Sequence, residues 1–290
     1  MILEQLSSSN KIIFERLMIN AKDFNQLNED FYKFYNTIDW IKILRLKKKV
    51  FLIKIDSEYI GYIWTEETDY KVNKIYSLYI NYDSKVTDLK GLSKYFRHGH
   101  TFYYECRLNS FNKQILDRLS FKGINHYIEM KYSLDAHICD FKRDQNIEFR
   151  TFIEGKDESL RCKLQNDIFF SEGRVPLNIR DMYNDEEQEY YLIGGGFFIL
   201  YQGSEVGYGQ LIKHDYTDSV LLVNFGILES KRKYGLGRFL LTYILNEAKA
   251  IGHKYIYLRV NINNLAAIKL YSDSGFKTCS NIIHYEYIIK

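Results

Sequence analysis

Two stretches of this chain repeat one another at a fixed distance, and that repetition limits the fold more than any other property of the sequence. Arg107, Leu108, Asn109, Asn112, Ser120 and Gly123 align without gaps on Arg259, Val260, Asn261, Asn264, Ser272 and Gly275, each 152 positions on, and five of the six pairs are identical. Nearer the N-terminus, Gly61-Tyr62 pairs with Gly207-Tyr208 at a separation of 146, and Ile13, Ile19, Lys22 and Asp23 pair with Ile147, Ile153, Lys156 and Asp157 at 134. One order of elements therefore occurs twice. The 290 residues divide into two halves of ordinary domain size, with 46% hydrophobic and 16% aromatic residues to fill their cores. A charged, aperiodic stretch containing Asp140, Lys142, Arg143, Asp144 and Gln145 places the boundary between domains at 1–140 and 141–290.

The second copy carries chemistry in a strand, turn and helix. Val220, Leu221, Leu222, Val223, Phe225, Gly226, Ile227 and Leu228 read as a strand buried on both faces. A basic turn follows, Lys231-Arg232-Lys233-Tyr234-Gly235-Leu236-Gly237-Arg238. Leu236, Leu240, Tyr243, Ile244, Ala248 and Ile251 then recur at helical spacing until Gly252. Glycine lets the backbone approach a ligand, and the first N–H groups of a helix have no internal partner. With the helix dipole and the Lys and Arg side chains, this turn is a site for a pyrophosphate. A strand over Tyr255, Ile256, Tyr257, Leu258, Arg259 and Val260 follows, then a short helix stopped by Gly275.

These residues resemble the GNAT superfamily of N-acetyltransferases. Arg232-Lys233-Tyr234-Gly235-Leu236-Gly237 matches its R/Q-x-x-G-x-G/A pyrophosphate loop, and Asn264-x-x-Ala267-x-x-Leu270-Tyr271 followed by Gly275-Phe276 matches its second cofactor motif. A dinucleotide-binding turn fits less well, since no acidic residue follows at the ribose-binding distance. The resemblance implies an α/β (α+β) fold of two tandem GNAT-like domains, each a mixed, mostly antiparallel sheet flanked by helices, with a splayed central strand pair.

For function, the resemblance implies acetyl-CoA as donor substrate. Its pyrophosphate would lie on the N–H groups of Lys233, Tyr234, Gly235, Leu236, Gly237 and Arg238, beside Arg232 and Asn264. Its pantetheine arm would lie along Phe225, Gly226 and Ile227, where a backbone N–H would stabilise the oxyanion. Tyr271 would protonate the leaving thiolate. A base must relieve the attacking ammonium of a proton, and the candidates are His284 and Glu286, acting through water. Glu205, His214 and Asp215 also border the acceptor side. The expected activity is transfer of an acetyl group to a primary amine of a small molecule by direct attack in a ternary complex. A non-catalytic acyl-CoA-binding regulatory or structural protein, or a protein N-acetyltransferase, are the alternatives.

The first copy reads as having lost cofactor binding. It is 6 residues shorter across the interval that holds the loop, residues 80–90 contain no glycine, and Leu119 stands where the second copy has Tyr271. Arg97-His98-Gly99-His100 reads as solvated surface. The run Asp185, Glu186, Glu187 and Glu189 would attract a cationic amine, although a solvated acidic loop is the plainer reading.

A net charge of +3 argues against a nucleic-acid partner. Cys106, Cys139, Cys162 and Cys279 lack the spacing of a metal site and the density of a disulfide framework, so a reducing cytoplasm is expected. Neither a signal sequence nor a membrane-length apolar run is read, and the expected state is a monomer or homodimer.

Overall fold

The computed structural model describes residues 2–35, 46–84, 86–135, 144–214 and 218–289. Its elements run, in chain order, β1 (Ile2–Gln5), α1 (Lys11–Met18), α2 (Ala21–Phe24), α3 (Phe31–Tyr35), β2 (Val50–Ile55), β3 (Glu58–Asp69), β4 (Val72–Ile80), β5 (Thr101–Arg107), α4 (Ser110–Arg118) and β6 (Lys122–Ser133). They continue with β7 (Ile147–Thr151), α5 (Glu158–Ile168), α6 (Ile179–Glu186), β8 (Gly196–Tyr201), β9 (Ser204–Lys213), β10 (Ser219–Ile227), α7 (Leu236–Ala250), β11 (Tyr255–Asn261), α8 (Leu265–Asp273) and β12 (Lys277–Ile288). No helix among the described residues is long and apolar enough to cross a membrane.

The chain forms two compact units, of which the first is made of two separate stretches of sequence and the second of one. Unit 1 comprises residues 1–127 with 280–290, and unit 2 comprises residues 128–279. The boundary expected between residues 140 and 141 falls among residues 136–143, outside those described.

Within unit 1 the strand order is β1-β2-β3-β4-β5-β12, antiparallel except for the parallel β4–β5 pair. Within unit 2 it is β7-β8-β9-β10-β11-β6, with β7–β8, β8–β9 and β9–β10 antiparallel and β10–β11 parallel. Unit 1 is thus closed by residues from the end of the chain, and unit 2 by residues 128–133. In unit 1, β12 meets β5 in register from Ile282 opposite Arg107 to Ile288 opposite Thr101. Tyr285 of β12 and Ile289 just after it join that unit's core, while Met130 and Tyr132 of β6 join the core of unit 2.

The repeat is visible in the turns. The β2–β3 hairpin turns on Asp56 and Ser57, and the β8–β9 hairpin on Gln202 and Gly203, all with positive φ. Two left-handed residues make the tight turn whose twist suits a two-residue hairpin. In unit 2, α7 buries Leu236, Leu240, Leu241, Ile244, Leu245 and Ala248 against Phe197, Leu211, Val220 and Leu222. Gly209 permits that approach, because a β-carbon there would stand 2.7 Å from Ile244 Cδ1. Between β4 and β5, by contrast, the described residues hold only a short 3-10 turn, Lys90–Lys94.

Candidate functional site

The site begins where a sheet stops pairing. β10 and β11 run parallel and in register from Ser219 opposite Tyr255 to Leu222 opposite Leu258, and the pairing ends there although both strands continue. On its other edge, β10 stays paired to β9, with a register shift between Val223 and Gly226. The cause is a bulge. Asn224 takes φ 51, a left-handed conformation that inserts an extra residue and bends the strand. Asn224 is held by its side chain, whose Nδ2 donates to Gln210 Oε1 at 3.0 Å. Beyond the bulge, Gly226 lets α5 come close, since a β-carbon at this position would lie 2.3 Å from Ile168 Cγ2.

The loop after β10 presents donors. A short 3-10 turn, Glu229–Lys231, leads to Arg232, and then Lys233 and Gly235 take φ 70 and φ 77. Among the described residues, no backbone hydrogen bond uses the N–H groups of residues 233–237, whereas Arg238 N–H is taken by Gly235 C=O at 3.0 Å. Five consecutive free donors at the positive end of the 15-residue α7 make an anion site large enough for a pyrophosphate.

Arg232 braces this loop. Its Nε donates to Ile227 C=O and its Nη2 to Ile168 C=O, each at 3.2 Å. Tyr234 is exposed and Leu236 buried. Gly237 faces Leu270 and Ile227 with room for a methyl group, the nearest atom being 3.5 Å from a built β-carbon. The Arg238 side chain is exposed and lies 3.7 Å from Asp273.

Tyr271 comes to the same place on α8. Its ring centroid is 5.9 Å from that of Phe225 and 5.7 Å from that of Phe276, and the residue is 7% exposed. Burial raises its proton affinity well above that of an ordinary tyrosine. Asn264 caps α8, accepting from Ala267 N–H at 3.2 Å, which is a structural use of its amide.

The acceptor-side candidates are dispersed. His284 and Glu286 lie on β12 in unit 1, opposite Glu105 and Tyr103 of β5. His284 Nε2 is 4.0 Å from Glu105, and Glu286 is 3.7 Å from Lys122 Nζ. Glu205 pairs with Arg150 at 3.0 Å, and His214 stacks on Tyr257 with centroids 4.6 Å apart. Asp215 lies outside the described residues.

The acidic run divides. Glu187 and Glu189 are solvated, but Asp185 and Glu186 face a buried arginine that the sequence reading did not single out. Arg161 is 1% exposed and hydrogen-bonds through Nη2 to Asp185 and, at 3.0 Å, to Gln210 Oε1. Gln210 passes this network to Asn224 at the bulge, and its Nε2 donates to Asp185 at 3.2 Å. Burial opposes ionisation of Asp185, but hydrogen bonds from Arg161, Tyr190 and Gln210 outweigh it and hold the carboxyl below its usual range.

Glu186 has the opposite bias. Burial, reinforced by Glu158, raises its proton affinity although Arg161 Nη1 is 3.8 Å away. A signal for this cluster was present in α5: Glu158, Arg161, Leu164, Gln165 and Ile168 form its buried face, and charged residues at inward helical spacing demand polar partners.

Residues 162–276 match the Acetyltransferase (GNAT) family. Curated protein sequences give no match. Among solved structures, a GCN5-related N-acetyltransferase from Sphaerobacter thermophilus is 16% identical, with TM-score 0.67 over 100% of this chain and 96% of its own. A GNAT-family acetyltransferase from Colwellia psychrerythraea is 13% identical, with TM-score 0.58 over 99% and 100%. A tandem GNAT protein from the clavulanic acid biosynthesis pathway is 12% identical, with TM-score 0.57 over 83% and 82%. The splayed strand pair, the donor loop and these likenesses agree: this chain has the GNAT fold in a tandem arrangement, and its residues 162–276 are a domain of the GNAT acetyltransferase family.

Proposed function

We propose that unit 2 binds acetyl-CoA and transfers its acetyl group to a primary amine of a small molecule by direct attack in a ternary complex. The observation that carries this reading is the parting of β10 from β11 after Leu222, next to free N–H groups at the start of α7. A thioester arm has amides to pair with the exposed edge of β10, and its pyrophosphate suits residues 233–237. An N–H among Phe225, Gly226 and Ile227 supplies the oxyanion donor. Tyr271, protonated throughout the physiological range, gives its proton to the departing thiolate.

Within unit 2, Glu186 is the carboxylate best suited to take the proton of the acceptor ammonium through water. Its proton affinity is raised, and it is linked through Arg161 and Gln210 to Asn224 at the bulge. The same carboxylate favours a cationic acceptor. His284 and Glu286, on β12, are the other candidate proton acceptors.

The test is release of free CoA from acetyl-CoA against a panel of amines, paired with calorimetry of acetyl-CoA binding. Amine-dependent release is the expected result. Tight binding without release for any small amine would move the reading to a non-catalytic acyl-CoA-binding protein, and release only with peptide N-termini to a protein N-acetyltransferase.

A further inference from the structure

Unit 1 has the same parted strands as unit 2, but its own chain occupies the gap. β4 and β5 pair in parallel from Val72 opposite Thr101 to Ile75 opposite Tyr104, then separate, although β4 runs on to Ile80 and β5 to Arg107. Past the last pair, the backbone groups on both facing edges need partners. The stretch after α2 supplies them.

Asn25 Nδ2 donates to Glu105 C=O at 2.9 Å, and its Oδ1 accepts from Arg107 N–H at 3.0 Å. That is the pattern by which a neighbouring strand would bond residues on either side of Cys106. Asn28 does the same for β4, with Nδ2 donating to Leu78 C=O at 2.8 Å and Oδ1 accepting from Leu78 N–H at 3.2 Å. Glu29 N–H adds a bond to Tyr76 C=O at 2.9 Å. Tyr104 joins the two amides, its hydroxyl accepting from Asn25 Nδ2 and donating to Asn28 Oδ1. Asn25 Oδ1 also accepts from Leu27 N–H, and Asn28 Nδ2 also donates to Ala21 C=O. Asn25 and Asn28 are 0% and 1% exposed.

Among the described residues, unit 2 has no such insert. At the repeat separation of 134, Asn25 and Asn28 correspond to Ser159 and Cys162. These lie on α5, where Cys162 Sγ is bonded to Leu177 C=O. Among the described residues, the one side-chain bond to the β10 backbone past Leu222 is that of Arg232 to Ile227 C=O.

We propose that residues 25–29 are a built-in occupant of the unit 1 strand gap. The amides of Asn25 and Asn28 stand in for those of an acyl-pantetheine arm, so each chain binds one acyl-CoA. The filled gap is independent of the function proposed for unit 2, whereas the count of one rests on it.

Two measurements on the full-length chain separate these. In hydrogen exchange of the ligand-free protein, peptides containing Leu78 and Arg107 should be slowed at least about 100-fold relative to an unstructured chain, with no change on adding acetyl-CoA. The peptide containing residues 223–227 should gain protection when acetyl-CoA is added. Fast exchange at Leu78 and Arg107 without ligand, or new protection there with it, overturns the proposal whatever unit 2 does. Calorimetry should give one acetyl-CoA per chain, and two would overturn it. Zero, with Leu78 and Arg107 protected, supports the filled gap and counts against the acetyl-CoA reading of unit 2. In Asn25→Leu the Arg107 peptide should exchange faster while the affinity for acetyl-CoA stays within about twofold, a change too small to score as a lost contact. Unaltered protection in that variant shows that the amide does not seal the gap and overturns the assignment.

Discussion

Replacing Gly235 by alanine isolates the backbone geometry of the donor loop from its charge. Gly235 sits at φ 77, and a β-carbon there would meet only Phe239 Cε2, at an ordinary 3.8 Å. Steric clash is therefore absent, and the cost is that of a left-handed conformation in an L-residue, about 1–2 kcal/mol. The free loop is able to relax by turning its N–H groups away from the phosphate position. Binding must then restore the strained geometry, so acetyl-CoA affinity should fall by about 5- to 30-fold, at 1.4 kcal/mol per tenfold.

Gly252, at the other end of α7, is the control. It has φ 99 with nothing within 4 Å of a built β-carbon, so Gly252→Ala carries similar strain remote from the donors. Calorimetry with acetyl-CoA and thermal unfolding should be run on both variants. The expected outcome is weaker binding for Gly235→Ala, unchanged binding for Gly252→Ala, and comparable small losses of thermal stability. Gly235→Glu adds bulk and negative charge at the pyrophosphate and should abolish binding. Equal affinity for wild type and Gly235→Ala, or equal weakening in both alanine variants, would refute the assignment of residues 233–237 as the phosphate cradle.

Tyr271→Phe keeps the ring packing with Phe225 and Phe276, so kcat should fall about 10²- to 10⁴-fold with acetyl-CoA affinity nearly intact; equal loss of both would reassign Tyr271 to packing. Glu186→Gln should remove the rising limb that an acceptor with raised proton affinity gives to the pH profile of kcat/KM, and the same profiles for His284→Ala and Glu286→Gln decide among the three candidates. Asp185→Ala leaves Arg161 buried without its main partner and should lower stability by about 3–5 kcal/mol in denaturant unfolding. Because the folded state holds Asp185 below its ordinary pKa, its contribution is present above about pH 4 and is lost as pH falls through the lowered value. The stability gap between wild type and Asp185→Ala should therefore narrow on acidification, and a constant gap would show that charge is not the cause.

The sequence by itself determined what depends on neighbours in the chain. The apolar run ending at Leu228, the turn from Arg232 to Gly237 and the helical spacing from Leu236 onward specify strand, loop and helix locally, and the structure has each in place. The repeat at 152 positions fixed the order of elements in both units, because similar local signals make similar elements.

The tertiary structure decided which strand pairs with which, and which side chains meet. Nothing local to β12 tells its backbone N–H and C=O groups to seek β5, about 180 residues earlier, since strand pairing is a choice among distant partners of like pattern. His284 and Glu286 were named from sequence alone, and the pairing of β12 with β5 is what assigns them to unit 1. Arg161 was not singled out from sequence; α5 turns it towards Gln210 and Asp185, where burial makes its partners obligatory. Asn25 and Asn28 are ordinary loop residues in the sequence. Only the parting of β4 from β5 gave their amides unpaired backbone to bond, and with it a physical reason for two copies of one fold to differ in what they hold.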